Sequence, residues 1–288
     1  MIRRIALLGV GLIGGSWALA LRRSGWSGTL VGYSRRPETL AQAQALGVLD
    51  QGAGSVAEAI TGAELIILAA PLGAYRDLLA QMQPHLHPEQ IITDVGSVKQ
   101  CVYADCLAVL GYIPARLVAG HPLAGSEQSG VTAATADLFG NRRVILTPRP
   151  DTDLEALAVV TQLWQQVGAQ VSQMEAAIHD AMLAGTSHLP HVMAYALVAA
   201  LHQADPSGAI FSYGAGALRD MTRIAASDPA LWQEIFTQNR TALLHWCERL
   251  QVQLQTIQRS LQPEADPAGL QQLLSQAQAA KQRYGVYS

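Results

Sequence analysis

The run GVGLIGGS, residues 9–16, follows the short apolar stretch 5–8 and leads into residues 16–23, whose apolar spacing is that of a helix with a small-residue face. Gly9-x-Gly11-x-x-Gly14 between a strand and a helix is the context that a dinucleotide-binding fingerprint requires. Gly9 permits the tight turn, Gly11 lets the backbone approach a pyrophosphate, and Gly14 lets helix and strand pack closely, while Leu12 and Ile13 carry the chain into the helix whose N-terminus holds the anion. The competing reading is a secretion signal, since Arg3 and Arg4 precede an apolar run ending in Ala18-Leu19-Ala20. It fails because four glycines interrupt that run and cleavage after Ala20 would remove the first strand of a sheet.

The end of the second strand decides which dinucleotide is expected. Residues 32–36 read Gly-Tyr-Ser-Arg-Arg, without the carboxylate that would hydrogen-bond the ribose 2′-hydroxyl of NAD. Ser34 is able to hydrogen-bond a 2′-phosphate and Arg35 and Arg36 to pair with its charge, so NADP is expected as cofactor in preference to NAD.

Composition narrows the function classes. The chain has 288 residues, half of them hydrophobic, enough for a full core and two domains. A net charge of -3 with scattered basic residues argues against a nucleic-acid partner, whose phosphates demand a basic face. Three cysteines, Cys101, Cys106 and Cys247, offer neither a paired framework nor zinc spacing, so a reducing cytoplasmic home is expected. The most apolar internal run, 65–72, is far short of the roughly 20 residues that span a bilayer, so no membrane segment is expected.

Strands are expected at 5–8, 29–33, 65–69, 90–94, 117–119 and 143–146, alternating with helices at 16–23, 37–46, 74–82 and 99–110. Strands apolar throughout and separated by helices predict a parallel sheet covered on both faces. A helix at 153–167 and a last strand at 170–174 follow, and no convincing strand comes after them. The expected fold class is therefore α/β, with a Rossmann dinucleotide-binding domain over 1–173 and an all-helical domain over 174–288. In the second half, Pro190 interrupts an apolar pattern over 176–202, giving one kinked helix or two. Asp228-Pro229 is a helix start, with the helix expected to reach about Gln262, and Asp266-Pro267 opens another. The apolar faces of these helices exceed what a small monomer hides, so a homodimer is expected through this half.

Three stretches concentrate groups that a core would exclude. Asp94-Val-Gly-Ser97-Val-Lys99 lies just past a strand end, where ligands of open α/β sheets collect. Gly120-His121-Pro122 leads into Gly125-Ser126-Glu127, again after a strand. The helical half adds His179-Asp180, Ser187-His188-Leu-Pro-His191 and Asp220-Met-Thr-Arg223, with Ile224, Ala225 and Ala226 reading as buried neighbours of the arginine. Singly each has a structural account: a turn histidine, packed histidines, a surface arginine. Together with a nicotinamide site they suggest a general base, a second histidine and an arginine that binds a carboxylate of a small acidic substrate. His188 and His191 have no carboxylate at ligand spacing beside them, so no metal is expected.

In their order and spacing, GVGLIGGS, DVGSVK, GHPLAGSEQSG, VILTP, HD, SHLPH and DMTRIAASDPALW resemble the prephenate and arogenate dehydrogenases of tyrosine biosynthesis, over nearly the whole chain. The resemblance implies a Rossmann domain, a helical dimerisation domain, an active site between them, and oxidative decarboxylation of a cyclohexadienol. It implies that His121 accepts the proton of the ring 4-hydroxyl and that Ser97 orients that hydroxyl. It gives Arg223 the ring carboxylate and His191 the substrate side chain, with Ser126 and His179 as further substrate contacts. Prephenate is the expected substrate, with arogenate, or use of both, as the alternative. No regulatory domain is expected beyond about residue 284 and no chorismate mutase segment before Met1, so any tyrosine inhibition is expected at the active site. Two rival classes remain. A β-hydroxyacid dehydrogenase needs a lysine from the helical half, and this chain has only Lys99 and Lys281. A nonenzymatic NADP-sensing dimer would not need His121, Ser97 and Arg223 together.

Overall fold

Leu65–Leu68 and Ile91–Asp94 bury every residue, as strands do when both faces of a parallel sheet are covered. The computed structural model describes residues 2–125 and 128–285 and divides into two compact units, Met1–Arg240 and Thr241–Ser288. The first unit begins with β1 (Arg4–Leu8), α1 (Leu12–Arg23), β2 (Thr29–Tyr33), α2 (Pro37–Ala45), β3 (Gln51–Ala53), α3 (Val56–Ile60), β4 (Leu65–Leu68) and α4 (Tyr75–Met82). It continues with β5 (Ile91–Asp94), α5 (Gln100–Leu110), β6 (Leu117–Val118), β7 (Gly120–Pro122), β8 (Arg143–Leu146), α6 (Leu154–Gln166) and β9 (Gln170–Gln173). Helices α7 (Ala176–Leu183), α8 (Leu189–Ala204), α9 (Ala209–Ser212), α10 (Gly216–Thr222) and α11 (Pro229–Gln238) follow. α12 (Arg240–Ser260) and α13 (Pro267–Tyr284) supply the helices of the second unit.

The main sheet has six parallel strands in the order β3-β2-β1-β4-β5-β6, with the reversal of strand order between β1 and β4. This is the doubly wound dinucleotide-binding topology, in which ligands sit outside the carboxyl ends of the strands at the reversal. One face carries a core that includes Trp17, Leu21, Phe139 and Trp164. The other buries Tyr75, Leu79, Val102 and Cys106, and Trp232 and Ile235 of α11 complete it, so the helices after β9 share a core with the sheet. At roughly 1.5–3 kcal/mol for each large apolar side chain withdrawn from water, these two cores account for the tight docking of the layers.

The sheet departs from the expected one in two places. β3 and α3 were not anticipated; β3 is a three-residue edge strand with two exposed positions and carries little apolar pattern. The GHP stretch, read as a loop after a strand, is itself strand β7, pairing antiparallel with β8 so that His121 lies opposite Ile145. β7, β8 and β9 form a separate three-stranded sheet.

The helical segments also differ from expectation. The apolar pattern over 176–202 is one helical path, in which Ala184–His188 form a π-helical turn between α7 and α8. That turn absorbs Pro190, which lacks the N–H for an α-helical bond. The helix that starts at Asp228, where the carboxylate accepts from the Ala230 N–H at 2.9 Å, stops at Gln238 instead of reaching 262. At the break Asn239 turns its amide inward, to Asp180 O at 2.8 Å and His188 Nδ1 at 3.2 Å. Ile224 and Ala225 are only partly buried and Ala226 is exposed, because residues 223–226 form a short surface 3₁₀ turn and not a core segment.

The glycine loop supports a direct test. Gly9 sits at φ +100°, and a Cβ there would lie 2.4 Å from Ala70 N, whereas a Cβ on Gly11 would meet nothing within 4 Å. Gly9→Ala should therefore lower stability by roughly 1–3 kcal/mol, and Gly11→Ala should leave the thermal midpoint nearly unchanged, as read by calorimetry.

Candidate functional site

At the carboxyl end of β1 the Gly9 N–H donates to Tyr33 O at 3.0 Å, which brings the end of β2 beside the glycine loop. A Cβ on Gly14 would lie 2.8 Å from Gly9 O and 3.0 Å from Ala69 Cβ, so this glycine sets the closeness of α1 to the sheet. α1 begins after Gly11 with no side-chain cap, leaving its first N–H groups facing open space beside Gly11. Donors of that kind suit a pyrophosphate. Ser34 is half-buried beside this loop with its Oγ accepting from the Arg36 N–H at 3.2 Å, and Arg35 and Arg36 are exposed.

Past β5 the chain buries an ion pair. Asp94 and Lys99 have no exposed side-chain surface, and Nζ lies 2.5 Å from Asp94 Oδ2. Both then close on one residue: Lys99 Nζ donates to Gly120 O at 2.7 Å, and Asp94 Oδ1 accepts from the Gly120 N–H at 3.0 Å. Asp94 Oδ2 also accepts from the Gly96 N–H at 2.8 Å, with the Tyr75 hydroxyl 3.2 Å away. Burial and the neighbouring Asp94 hold the Tyr75 phenol well above its ordinary range, so it stays a donor. The residue next to the clamped glycine is His121.

His121 keeps 8% of its surface and stands against a second imidazole, with Nδ1 2.9 Å from His179 Nε2 and ring planes at 68°. His179 is wholly buried, and its Nδ1 lies 2.7 Å from Asp180 Oδ1. Asp180 accepts from the Lys99 N–H at 2.8 Å and the Gln100 N–H at 2.9 Å, so a carboxylate from α7 caps the N-terminus of α5. Burial alone would raise the Asp180 carboxyl, but the bond from His179 and the two backbone donors bring it below the ordinary carboxylate range. Burial foremost, then His179, Lys99 and His188, push His121 well below 6.5, so its resting form is neutral. Burial similarly lowers His188 to about 4. Both ring nitrogens of His179, expected as a further substrate contact, are engaged by His121 and Asp180, and the ring has no exposed surface.

Toward the surface, His191 stacks on Trp232 with centroids 3.4 Å apart and donates from Nδ1 to Ser187 O at 2.9 Å. Burial, then the charge of Arg223, lowers its pKa, which puts His191 and the exposed Arg223 within electrostatic reach of each other. Ser97 is half-buried in the loop that leads to Lys99. Ser126 lies outside the described residues. Sequence reasoning assigned no role to Asp94, Lys99, Asp180, Trp232 or Asn239. A signal existed for three of them, since Asp94, Lys99 and Asp180 are charged residues in apolar surroundings, and such residues are seldom buried unless paired.

Comparisons with known proteins bear on the whole chain. A family model for the prephenate dehydrogenase nucleotide-binding domain matches residues 17–173, beginning just after the glycine loop, and one for the prephenate dehydrogenase dimerization domain matches 175–276. A cyclohexadienyl dehydrogenase of Zymomonas mobilis is 37% identical over 247 residues, 85% of this chain and 83% of that protein. The crystal structure of prephenate dehydrogenase from A. aeolicus in complex with hydroxyphenyl propionate and NAD+ is 34% identical with a TM-score of 0.90, covering 98% of both chains. The Synechocystis arogenate dehydrogenase structure is 29% identical with a TM-score of 0.80, covering 98% of this chain and 99% of that one.

Removing one member of the buried pair leaves the other charge uncompensated, which costs about 3–5 kcal/mol. Lys99→Met should lower unfolding free energy in urea by that amount, while the double variant Asp94→Leu/Lys99→Met should recover part of the loss.

Proposed function

This chain belongs to the prephenate dehydrogenase family, and on that premise we propose that it converts prephenate to 4-hydroxyphenylpyruvate and CO2 with NADP as oxidant, in tyrosine biosynthesis. Arogenate, or use of both substrates, is the second reading, and the three names carried by its relatives favour keeping it. The observation that supports the reaction most directly is a neutral, buried imidazole, His121, held beside the carboxyl end of the sheet that bears the glycine loop.

A nicotinamide dinucleotide held by Gly9, Gly11, Gly14 and the α1 N-terminus, with Leu12 and Ile13 opening that helix, would supply the hydride acceptor. Ser34, Arg35 and Arg36 fit a 2′-phosphate by charge, which is the ground for NADP over NAD. The remaining chemistry falls to the chain's own residues. His121 takes the proton of the ring 4-hydroxyl as hydride departs the same carbon, and Ser97 orients that hydroxyl. Loss of the ring carboxylate as CO2 then aromatises the ring, and the phenolate oxygen recovers its proton from His121. Arg223 binds the ring carboxylate through paired donors, and His191, stacked on Trp232, meets the substrate side chain.

The assembly is a homodimer in this reading. Val252 and Leu254 on α12 are 56% and 57% exposed, Leu261 just past it 66% and Leu274 on α13 54%, apolar surface that a second copy would cover. No helix among the described residues is long and apolar enough to cross a membrane. A cytoplasmic setting suits the three free cysteines, of which burial raises Cys101 and Cys106 to about 12.

Steady-state kinetics with both substrates and both cofactors tests the reading: prephenate with NADP should give the highest kcat/KM. His121→Asn should lower kcat by roughly 10²- to 10⁴-fold with NADP affinity kept. Equal turnover by that variant would remove His121 from the mechanism. Arg35→Ala should weaken NADP about 10-fold or more and leave NAD unaffected. Because the active form of His121 is the neutral one and its pKa is lowered, kcat should hold as pH falls through 6.5 and decline only at more acidic pH.

A further inference from the structure

The two ring nitrogens of His121 are not equivalent. Asp180 accepts backbone N–H bonds from Lys99 and Gln100, and its third contact is His179 Nδ1. An ionised carboxylate only accepts, so His179 carries its proton on Nδ1 and offers a lone pair at Nε2. That lone pair lies 2.9 Å from His121 Nδ1, which must be the donor. The proton of neutral His121 therefore sits on Nδ1, and its Nε2 is left as an acceptor on the opposite edge of the ring.

We propose that His179 and Asp180 are positioning residues which lock His121 in this tautomer, making Nε2 the atom that takes the substrate's hydroxyl proton; this rests on His121 being the base. When Nε2 is protonated, the imidazolium donates from Nδ1 to His179 Nε2, and the Nδ1–H of His179 is in turn held by a buried carboxylate. The charge is thereby stabilised with no group having to move. When the phenolate takes the proton back from Nε2, the resting arrangement is restored and the count of protons is unchanged.

Asp180 is fixed at both ends for this task. Its carboxylate is held by the first turn of α5, and its carbonyl oxygen accepts from Asn239 Nδ2 at 2.8 Å. The other proton of that amide meets His188 Nδ1 at 3.2 Å, so Asn239 also ties α11 to the turn before α8. Capping α5 would need Asp180 alone; the wholly buried imidazole between it and His121 adds a hydrogen bond to each, and so joins the carboxylate to the base. The charged and titratable groups around His121 are Lys99 and Asp94 past β5, His179 and Asp180 on α7, and His188 on the π turn. Lys99 and His188 oppose the imidazolium, as a charged His179 would, and the Asp180 carboxylate bonded to His179 Nδ1 is the counter-charge on that side.

The test uses the full chain, uniformly ¹⁵N-labelled at its eight histidines, with signals assigned by their loss in His121→Asn and His179→Phe. At pH 7.5 the His121 ring should show a protonated Nδ1 and an unprotonated Nε2, and His179→Phe should release it to a mixture of tautomers. In kinetics, His179→Phe should lower kcat by roughly 10²- to 10⁴-fold with little change in KM. His179→Gln, whose amide both accepts from His121 and donates to Asp180, should stay within about 10-fold of the parent. A His121 proton found on Nε2, or full kcat in His179→Phe, would overturn the proposal. Should the parent turn over neither prephenate nor arogenate, the functional reading fails in the kinetic arm, while the tautomer measurement still decides this one.

Discussion

A lysine and an aspartate, paired with no contact with water, grip one residue by the peptide groups on both its sides. Asp94 takes the Gly120 N–H and Lys99 gives to the Gly120 carbonyl, so the short step from β6 to β7 has no freedom to drift. Gly120 is suited to the spot because a Cβ would press at 3.1 Å on both Asp94 O and Leu146 Cδ2. Isolated burial of either charge would cost several kcal/mol, and the pair persists because every polar atom around it finds a partner. Fixing Gly120 fixes the strand that carries His121, and through the Lys99 N–H the same stretch of chain fixes Asp180. Chemistry and architecture therefore share one set of hydrogen bonds, and the site is as rigid as the sheet edge it grows from.

That coupling explains why helices α7 to α11 pack as part of the sheet's own unit. α7 sends a carboxylate to the start of α5, and α11 sends Trp232 and Ile235 into the core beneath β4 and β5. Glu234 on the same helix accepts from the Gly73 N–H at 3.1 Å, tying α11 to the turn after β4. On that anchored helix Trp232 offers its face to His191 of α8.

Much of this was legible in the sequence where the governing physics is short-range. The glycine loop could be read residue by residue, since turn, approach and packing are each decided within a few positions, and the predicted strand 29–33 matches β2. The family resemblance carried the site residues further than their spacing did. What stayed hidden depends on distant partners. β7 reads as a loop because its pairing with β8 is invisible locally. His179 reads as a substrate-side residue because nothing marks its contact with His121, 58 residues earlier. The break at Asn239 is hidden for the same reason: its helix-forming neighbours favour continuity, and only the buried carbonyl of Asp180 and the ring of His188 make the interruption worthwhile.

The π-helical turn over Ala184–His188 has a consequence for how this region can change over evolutionary time. A widened turn holds a residue more than an α-helical one, and each residue in an α-helix advances the azimuth by about 100°. Because that extra residue is spent within one full turn, its loss would let the rod close into uniform α-helix with the faces on either side kept in phase, and His191 would stay on the face of Trp232. Loss of a residue from the α-helical stretches on either side would instead turn everything downstream by about 100° and carry His191 off that ring. Single-residue deletions should thus be tolerated at the wide turn and rare in the helices that flank it.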